Sequence, residues 1–238
     1  MNRILDTYQH GPTSHPTITF QDLLGPKEQL SHAVFTALLI DSEWTEAQLP
    51  SSLQYCHLIS DLKAEGYAFN DYGIQRKEQT AVKGQTSFRI THIKLPRGSM
   101  HAKLCLLKFP SFLRAVVSSS NLSDEWETIQ QVVWVQDFPL RMASTQAAAN
   151  DFDCYLGKVL DFLGVDRAIF PLEAYEFTKA NARLVASLPG THSERSKRNI
   201  LYGHMRIRHI LSSEAAWATG NKEDGLHGIG FGAGFFDH

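Results

Sequence analysis

Two apolar runs in mid-chain, Leu104-Cys-Leu-Leu-Lys-Phe109 and Phe112-Leu-Arg-Ala-Val-Val-Ser118, are separated only by Pro110 and Ser111. Each has the length and composition of a β-strand, and the short turn between them predicts a hairpin. Near-continuous apolar strands fit a sheet covered on both faces rather than one with a wet side. Other strand-like runs are Ala33–Ile40, Tyr55–Ser60, Phe88–Leu95, Gln131–Val135 and Ala182–Leu188. Helical patterns interleave with them. Asp41 or Ser42 caps a short helix from Glu43 to Leu49, stopped by Pro50. A helix of about five turns runs from near Ser144 to Leu163. In it Phe152, Tyr155, Leu156, Val159, Leu160 and Leu163 share one face, and Gly164 stands at the C-terminal cap. A shorter helix is expected over Glu173–Thr178 and a basic one near Gly203–Leu211, while the polar stretch from Asp61 to Thr86 reads as loop-rich. The sum predicts an α/β sandwich with a mixed central sheet flanked by helices.

Chemistry concentrates at the start of the first apolar run, in Ser-Met-His101-Ala-Lys103-Leu. Two residues apart at a strand, His101 and Lys103 point the same way. A neutral imidazole beside an ammonium can attack a phosphate ester, with the ammonium holding the phosphate oxygens. The hairpin returns Ser118-Ser-Ser-Asn121-Leu towards the same place. Among 11 His and 23 Lys plus Arg, one such pair carries little by itself; the longer pattern carries more.

That pattern is His101-Ala-Lys103, then Leu113-Arg-Ala-Val-Val-Ser-Ser-Ser-Asn121-Leu, Trp126, Gln131-Val-Val-Trp134 and Gln136-Asp137-Phe138-Pro139. In order and spacing it resembles the first catalytic motif of the tyrosyl-DNA phosphodiesterases, a branch of the phospholipase D superfamily, with the Asn-to-Trp loop about one residue short. Lipid-hydrolysing members place an Asp five residues beyond the Lys; here that position is Lys108. The resemblance spans roughly residues 17–215 and is specific only in this segment. It implies a phospholipase D-like fold and a DNA-repair phosphodiesterase that needs no metal or cofactor. His101 is then the nucleophile forming a phosphohistidine, Lys103 binds phosphate, and Asn121 donates its amide to a non-bridging oxygen. Gln131 and Ser119 support the substrate site. The basic stretch Arg195, Lys197, Arg198, Arg206, Arg208 is either a solvated helix face or a phosphate-contacting rim, with Arg206 and Arg208 taken as substrate-binding. Trp126 and Trp134 could stack on bases, although for Trp134 core packing is the better expectation. The implied partners are DNA 3′ ends carrying a tyrosine or peptide adduct, with exonuclease-like processing of such ends, and no membrane.

The family's second His-x-Lys, followed by a Ser/Asn turn and supplying the general acid and base, has no counterpart here; His204-Met-Arg206 and His209 are the nearest imitations. Three readings stay open. The favoured one is the nucleophile-bearing half of a larger enzyme. The others are a homodimeric nuclease made with a second copy of the chain, and a DNA-end-binding relative without turnover. By domain, residues 1–16 read as a flexible lead-in, 17–215 as the catalytic half and 216–238 as a glycine-rich tail. That tail, Gly228-Ile-Gly230-Phe-Gly232-Ala-Gly234, has no strand before it and no helix after it, so it is not a phosphate loop.

Composition adds bounds. With 43% hydrophobic and 20% charged residues in 238, the chain can bury a full core. A net charge of −2 leaves any DNA contact to a local patch. No apolar run spans a bilayer, and no secretory signal opens the chain. Three scattered cysteines, Cys56, Cys105 and Cys154, fit a reducing compartment, and with the resemblance the expected location is the nucleus.

Overall fold

The computed structural model describes residues 3–6, 17–61, 75–95, 98–129, 131–142, 151–189, 202–218 and 235–236. In chain order they form β1 (Arg3–Asp6), α1 (Phe20–Leu24), β2 (His32–Ala37), α2 (Ser42–Gln48), β3 (Tyr55–Asp61), β4 (Gln75–Lys83) and β5 (Thr86–Lys94). These are followed by β6 (Ser99–Met100), β7 (Leu104–Lys108), β8 (Phe112–Ser118), α3 (Glu125–Thr128), β9 (Val132–Pro139), α4 (Asp151–Leu163), α5 (Gly203–Ala218) and β10 (Phe235–Phe236).

Eight strands make one mixed sheet in the order β1-β9-β8-β7-β2-β3-β5-β4. The β2–β3 and β3–β5 pairs are parallel, and the rest are antiparallel. The apolar hairpin β7–β8 lies at its centre, and alternation sorts its side chains between two cores. Leu104, Leu106, Ala115 and Val117 join Val34, Ile59 and the apolar face of α4 (Phe152, Tyr155, Leu156, Val159, Leu160, Leu163). Cys105, Leu107 and Val116 join Phe35, Leu58, α1 and Trp126 on the other face. The result is the expected α/β sandwich.

Local chemistry sets the helix ends. Thr19 and Asp22 form a reciprocal capping box at α1. The Asp41 carboxylate caps α2 by accepting from Trp44 N at 2.9 Å. At the end of α4, Gly164 takes φ 73° while Gly164 N and Val165 N donate to Asp161 O and Leu160 O, the two bonds of a Schellman cap.

Several expectations change. The stretch read as loop-rich contains β4, an edge strand paired only with β5; seven of its nine residues are open to solvent, so it lacks the apolar alternation of an inner strand. Residues 62–74 lie outside the described residues, as do 143–150, where the long helix was expected to begin. The helix over Glu173–Thr178 is replaced by one 3₁₀ turn, Leu172–Ala174, after which Tyr175 bridges Leu140. Ala182–Leu188 forms no strand: Leu184 and Ala186 enter the α4-side core from an irregular segment. The lead-in supplies β1 on β9, and the glycine-rich tail supplies β10 on β6. The basic helix is α5, longer than expected. Trp126 is buried in the second core, and Trp134 packs on Phe152 at 5.5 Å with Nε1 donating to Asn181 Oδ1. No described helix is long and apolar enough to cross a membrane.

Candidate active site

His101 and Lys103 precede β7 instead of lying in it; the strand begins at Leu104. The reason is Thr36 of β2. Its hydroxyl donates to Ala102 O at 2.8 Å and accepts from Leu104 N at 2.9 Å, replacing the next rung of the β2–β7 ladder with a side chain. On the other side the hairpin continues one step further, with Ser118 N donating to Lys103 O at 3.0 Å. The two residues nevertheless meet. Lys103 Nζ stands 3.1 Å from His101 Nδ1 and 3.4 Å from Nε2. Buried Ala102 between them joins the α4-side core, so Lys103 takes the face of Cys105 and Leu107.

Three residues past Ser118, Asn121 is held on both sides of its amide. Its Oδ1 accepts from Leu39 N at 3.3 Å, and its Nδ2 donates to Glu125 Oε1 at 3.3 Å. Its backbone N–H donates to the other oxygen of Glu125 at 3.2 Å. The loop is tied to the β2 exit by a parallel bridge between Ile40 and Leu122. Ser119 and Gln131 bond each other, Oγ to Oε1 at 2.5 Å, and Ser119 Oγ also accepts from Val132 N. This couples the turn after β8 to the start of β9.

The electrostatics suit an anion. Burial, then the adjacent Lys103, hold the His101 imidazole below its ordinary 6.5, with the nearby Asp61 carboxylate pulling weakly the other way. The ring is therefore neutral at pH 7. Burial also lowers Lys103 below 10.5, while Glu125 favours its charged form. Lys103 is only 7% exposed, yet among the described residues its Nζ finds just the His101 ring and carbonyl within hydrogen-bond reach. Asp61 also fixes the approach to His101 by accepting from Met100 N at 2.7 Å. Among the described residues no group of three His, Cys, Asp or Glu is placed to hold a metal ion.

The family described as tyrosyl-DNA phosphodiesterase matches residues 2–228. The chain belongs to the tyrosyl-DNA phosphodiesterase family. Over 199 residues it is 25% identical to tyrosyl-DNA phosphodiesterase 1 of Arabidopsis thaliana, covering 75% of this chain and 31% of that protein. It is also 25% identical to the Drosophila melanogaster enzyme of the same name over 159 residues, 61% of this chain and 27% of that one. The chain thus spans about a third of the length of the curated relatives it matches. A crystal structure of a yeast tyrosyl-DNA phosphodiesterase mutant shares the fold, with a TM-score of 0.53 at 15% identity, over 74% of this chain and 41% of the yeast one.

Of the residues expected at the site, His101 and Lys103 stand together, Asn121 is held by Leu39 and Glu125, and Ser119 and Gln131 bond each other. Arg206 stands apart. That side chain is 4% exposed, bonds Asp151 at 2.6 Å and lies 4.1 Å over the Tyr155 ring, on the α4 side of the sheet. The expectation of a phosphate-contacting rim gives way there to a buried ion pair, because Tyr155 and Asp151 of α4 take the guanidinium. Arg208 is exposed on α5. Arg195, Lys197 and Arg198 lie outside the described residues. The sequence reading missed Thr36, Asp61 and Glu125; only Glu125 left a signal, standing four residues after Asn121.

Proposed function

We propose that this chain carries the nucleophile-bearing, phosphate-binding half of a DNA-repair phosphodiesterase acting on 3′-phosphotyrosyl and related 3′ adducts of DNA. The observation that carries this reading is the 3.1 Å contact between a neutral imidazole and a buried ammonium. A ring nitrogen of His101 attacks the phosphorus, and the bond to the adduct oxygen breaks. Lys103 and the Asn121 amide hold the non-bridging oxygens; donors of this kind contribute roughly 3–4 kcal/mol each in comparable oxyanion sites. The phosphohistidine then needs a general base to deliver water, and a tyrosine leaving group needs an acid, each typically about 10²–10⁴-fold in rate. Within these 238 residues the one other His-x-Lys, His92-Ile-Lys94, ends strand β5 without the Ser/Asn turn that follows the motif, and it does not fill those roles. The same proposal places the protein on DNA ends in the nucleus. Thiols without disulfides, Cys56 and Cys105 buried and Cys154 exposed, support a reducing setting.

A 3′-(4-nitrophenylphosphoryl) oligonucleotide tests the reading, because nitrophenolate leaves without an acid. The expected result is a burst of nitrophenolate approaching one per chain, then a stall with the oligonucleotide covalently attached. His101→Ala should abolish both. No burst from the folded chain would overturn the assignment of His101, and a rate growing with the square of chain concentration would favour the homodimeric nuclease.

A further inference from the structure

Asn and Gln amides can sit in either of two flips that differ little in shape, so a site that uses one N–H must fix the flip. Around Asn121 the fixing groups are all in place. Glu125 is an acceptor only, and both its oxygens face donors of Asn121: the backbone N–H at 3.2 Å and Nδ2 at 3.3 Å. Leu39 N, a donor only, faces Oδ1 at 3.3 Å. The flipped amide would set oxygen against carboxylate and NH₂ against N–H, two repulsive contacts in place of two bonds. Nδ2 has two hydrogens. Glu125 takes one, and no other described group takes the second. Helix α3 starts at Glu125, and Ser123 Oγ accepts from its backbone N–H, so the carboxylate projects from an anchored position.

We propose that Glu125 is the positioning residue of this half-site: it locks the Asn121 amide with one N–H reserved for a phosphate oxygen. The proposal rests on the phosphate-binding reading above. Glu125 touches no reacting atom; it acts through Asn121. A carboxylate is required because an amide at this position meets the two Asn121 donors with one acceptor and one NH₂ group, so one bond becomes a clash.

The sign of the effect separates this role from a bystander charge. Removing a carboxylate near a phosphate site strengthens DNA binding if only long-range electrostatics matter. A positioning role predicts the reverse. Fluorescence anisotropy of a 3′-phosphorylated single-stranded oligonucleotide on the full chain should show Glu125→Gln weakening affinity about tenfold, the loss of one charge-assisted hydrogen bond. Asn121→Ala should weaken it similarly, and the double variant no further. Affinity equal to or tighter than the original would overturn the proposal. Nuclear magnetic resonance gives a second readout independent of binding. In Glu125→Gln the shift difference between the two Nδ2 protons of Asn121 should shrink. Unchanged resonances would refute the role even if affinity falls. If the original chain binds no oligonucleotide, the functional reading fails and the resonances alone decide the positioning role. If circular dichroism shows Glu125→Gln unfolded, Glu125→Asp replaces it. One methylene shorter, it keeps the charge but withdraws from Asn121, and the same weakening is expected.

Discussion

A histidine and a lysine stand at each end of strand β7, and the two pairs have opposite fates. At its far end His32 stands across from Lys108, and both look elsewhere: His32 Nδ1 meets Ser31 Oγ at 2.9 Å, and Lys108 Nζ donates to Ile169 O at 2.8 Å. Nearby, Arg114 is saturated. It grips Asp137 with two bonds of 2.6 and 2.9 Å, donates to Leu23 O and Gly25 O, and lies over Phe109 and Phe112. At the near end His101 and Lys103 face each other, while the nearby carboxylates Glu125 and Asp61 are bonded to Asn121 and Met100 N. The far end uses its cations to join the sheet to its surroundings. The near end holds a buried cation with donors left over, an arrangement that weakens the free protein and suits an arriving anion.

The sharpest way to break this contrast is to remove each cation in turn. Arg114→Ala deprives Asp137 and the Leu23 and Gly25 carbonyls of the guanidinium and should cost about 3–5 kcal/mol, read as a lower urea midpoint. Lys103→Ala should change stability by no more than about 1 kcal/mol in either direction, because no ion pair is lost, while oligonucleotide binding collapses. Equal destabilisation by the two would erase the distinction between a structural and a functional end.

A smaller effect separates His101 from a histidine of the interior. His57 is fully buried, bonded through Nε2 to Thr91 Oγ1 at 2.8 Å, with Nδ1 unpartnered. Burial, then Arg89, push its pKa down to about 3. Between that value and 6.5 the unfolded ring binds a proton and the folded ring does not. Stability from this group is full above 6.5 and falls as pH drops through the window, by about 1.4 kcal/mol per pH unit. Urea midpoints at pH 6.5 and 5 should therefore differ by about 2 kcal/mol more in the original chain than in His57→Leu. A slope unchanged by the substitution would mean that other groups drive the acid sensitivity.

What the sequence revealed follows the same divide between inside and outside. The β7–β8 hairpin and α4 were legible because burial on both faces, or on one helical stripe, leaves an apolar pattern. Strand β4 was not, since Gln75-Arg-Lys-Glu-Gln79 on an edge carries no such pattern and exists through its ladder to β5. Ala182–Leu188 misled for the converse reason: Leu184 and Ala186 are buried in the α4-side core although the segment forms no continuous strand. At the candidate site, the meeting of His101 with Lys103 was legible because residues two apart in extended chain share a face. Thr36 and Asp61 were not, because their roles arise from neighbours 66 and 39 positions away, which local spacing does not show. Arg206 misled because a basic helix reads the same whether its arginine meets phosphate or a buried Asp151.

The subtlest prediction returns to the two ends of β7. Each histidine is held below its ordinary value by burial first and by its lysine second: Lys103 for His101, Lys108 for His32. Methionine keeps the stem of a lysine and deletes the charge. Lys103→Met should raise the His101 titration towards 6.5 and leave His32 in place; Lys108→Met should do the reverse. Imidazole proton shifts followed across pH 4–8 read both rings in one sample. For His101 the consequence is kinetic. Only the neutral ring attacks, so the nitrophenolate burst in the original chain should hold to a pH below 6.5 and fall on its acid side. It should also fall on the alkaline side below 10.5, where Lys103 loses its proton. A shift of His101 in Lys108→Met as large as in Lys103→Met would show that general sheet charge, and not the 3.1 Å contact, sets its protonation. The near pair would then differ from the far one in hydrogen bonding alone.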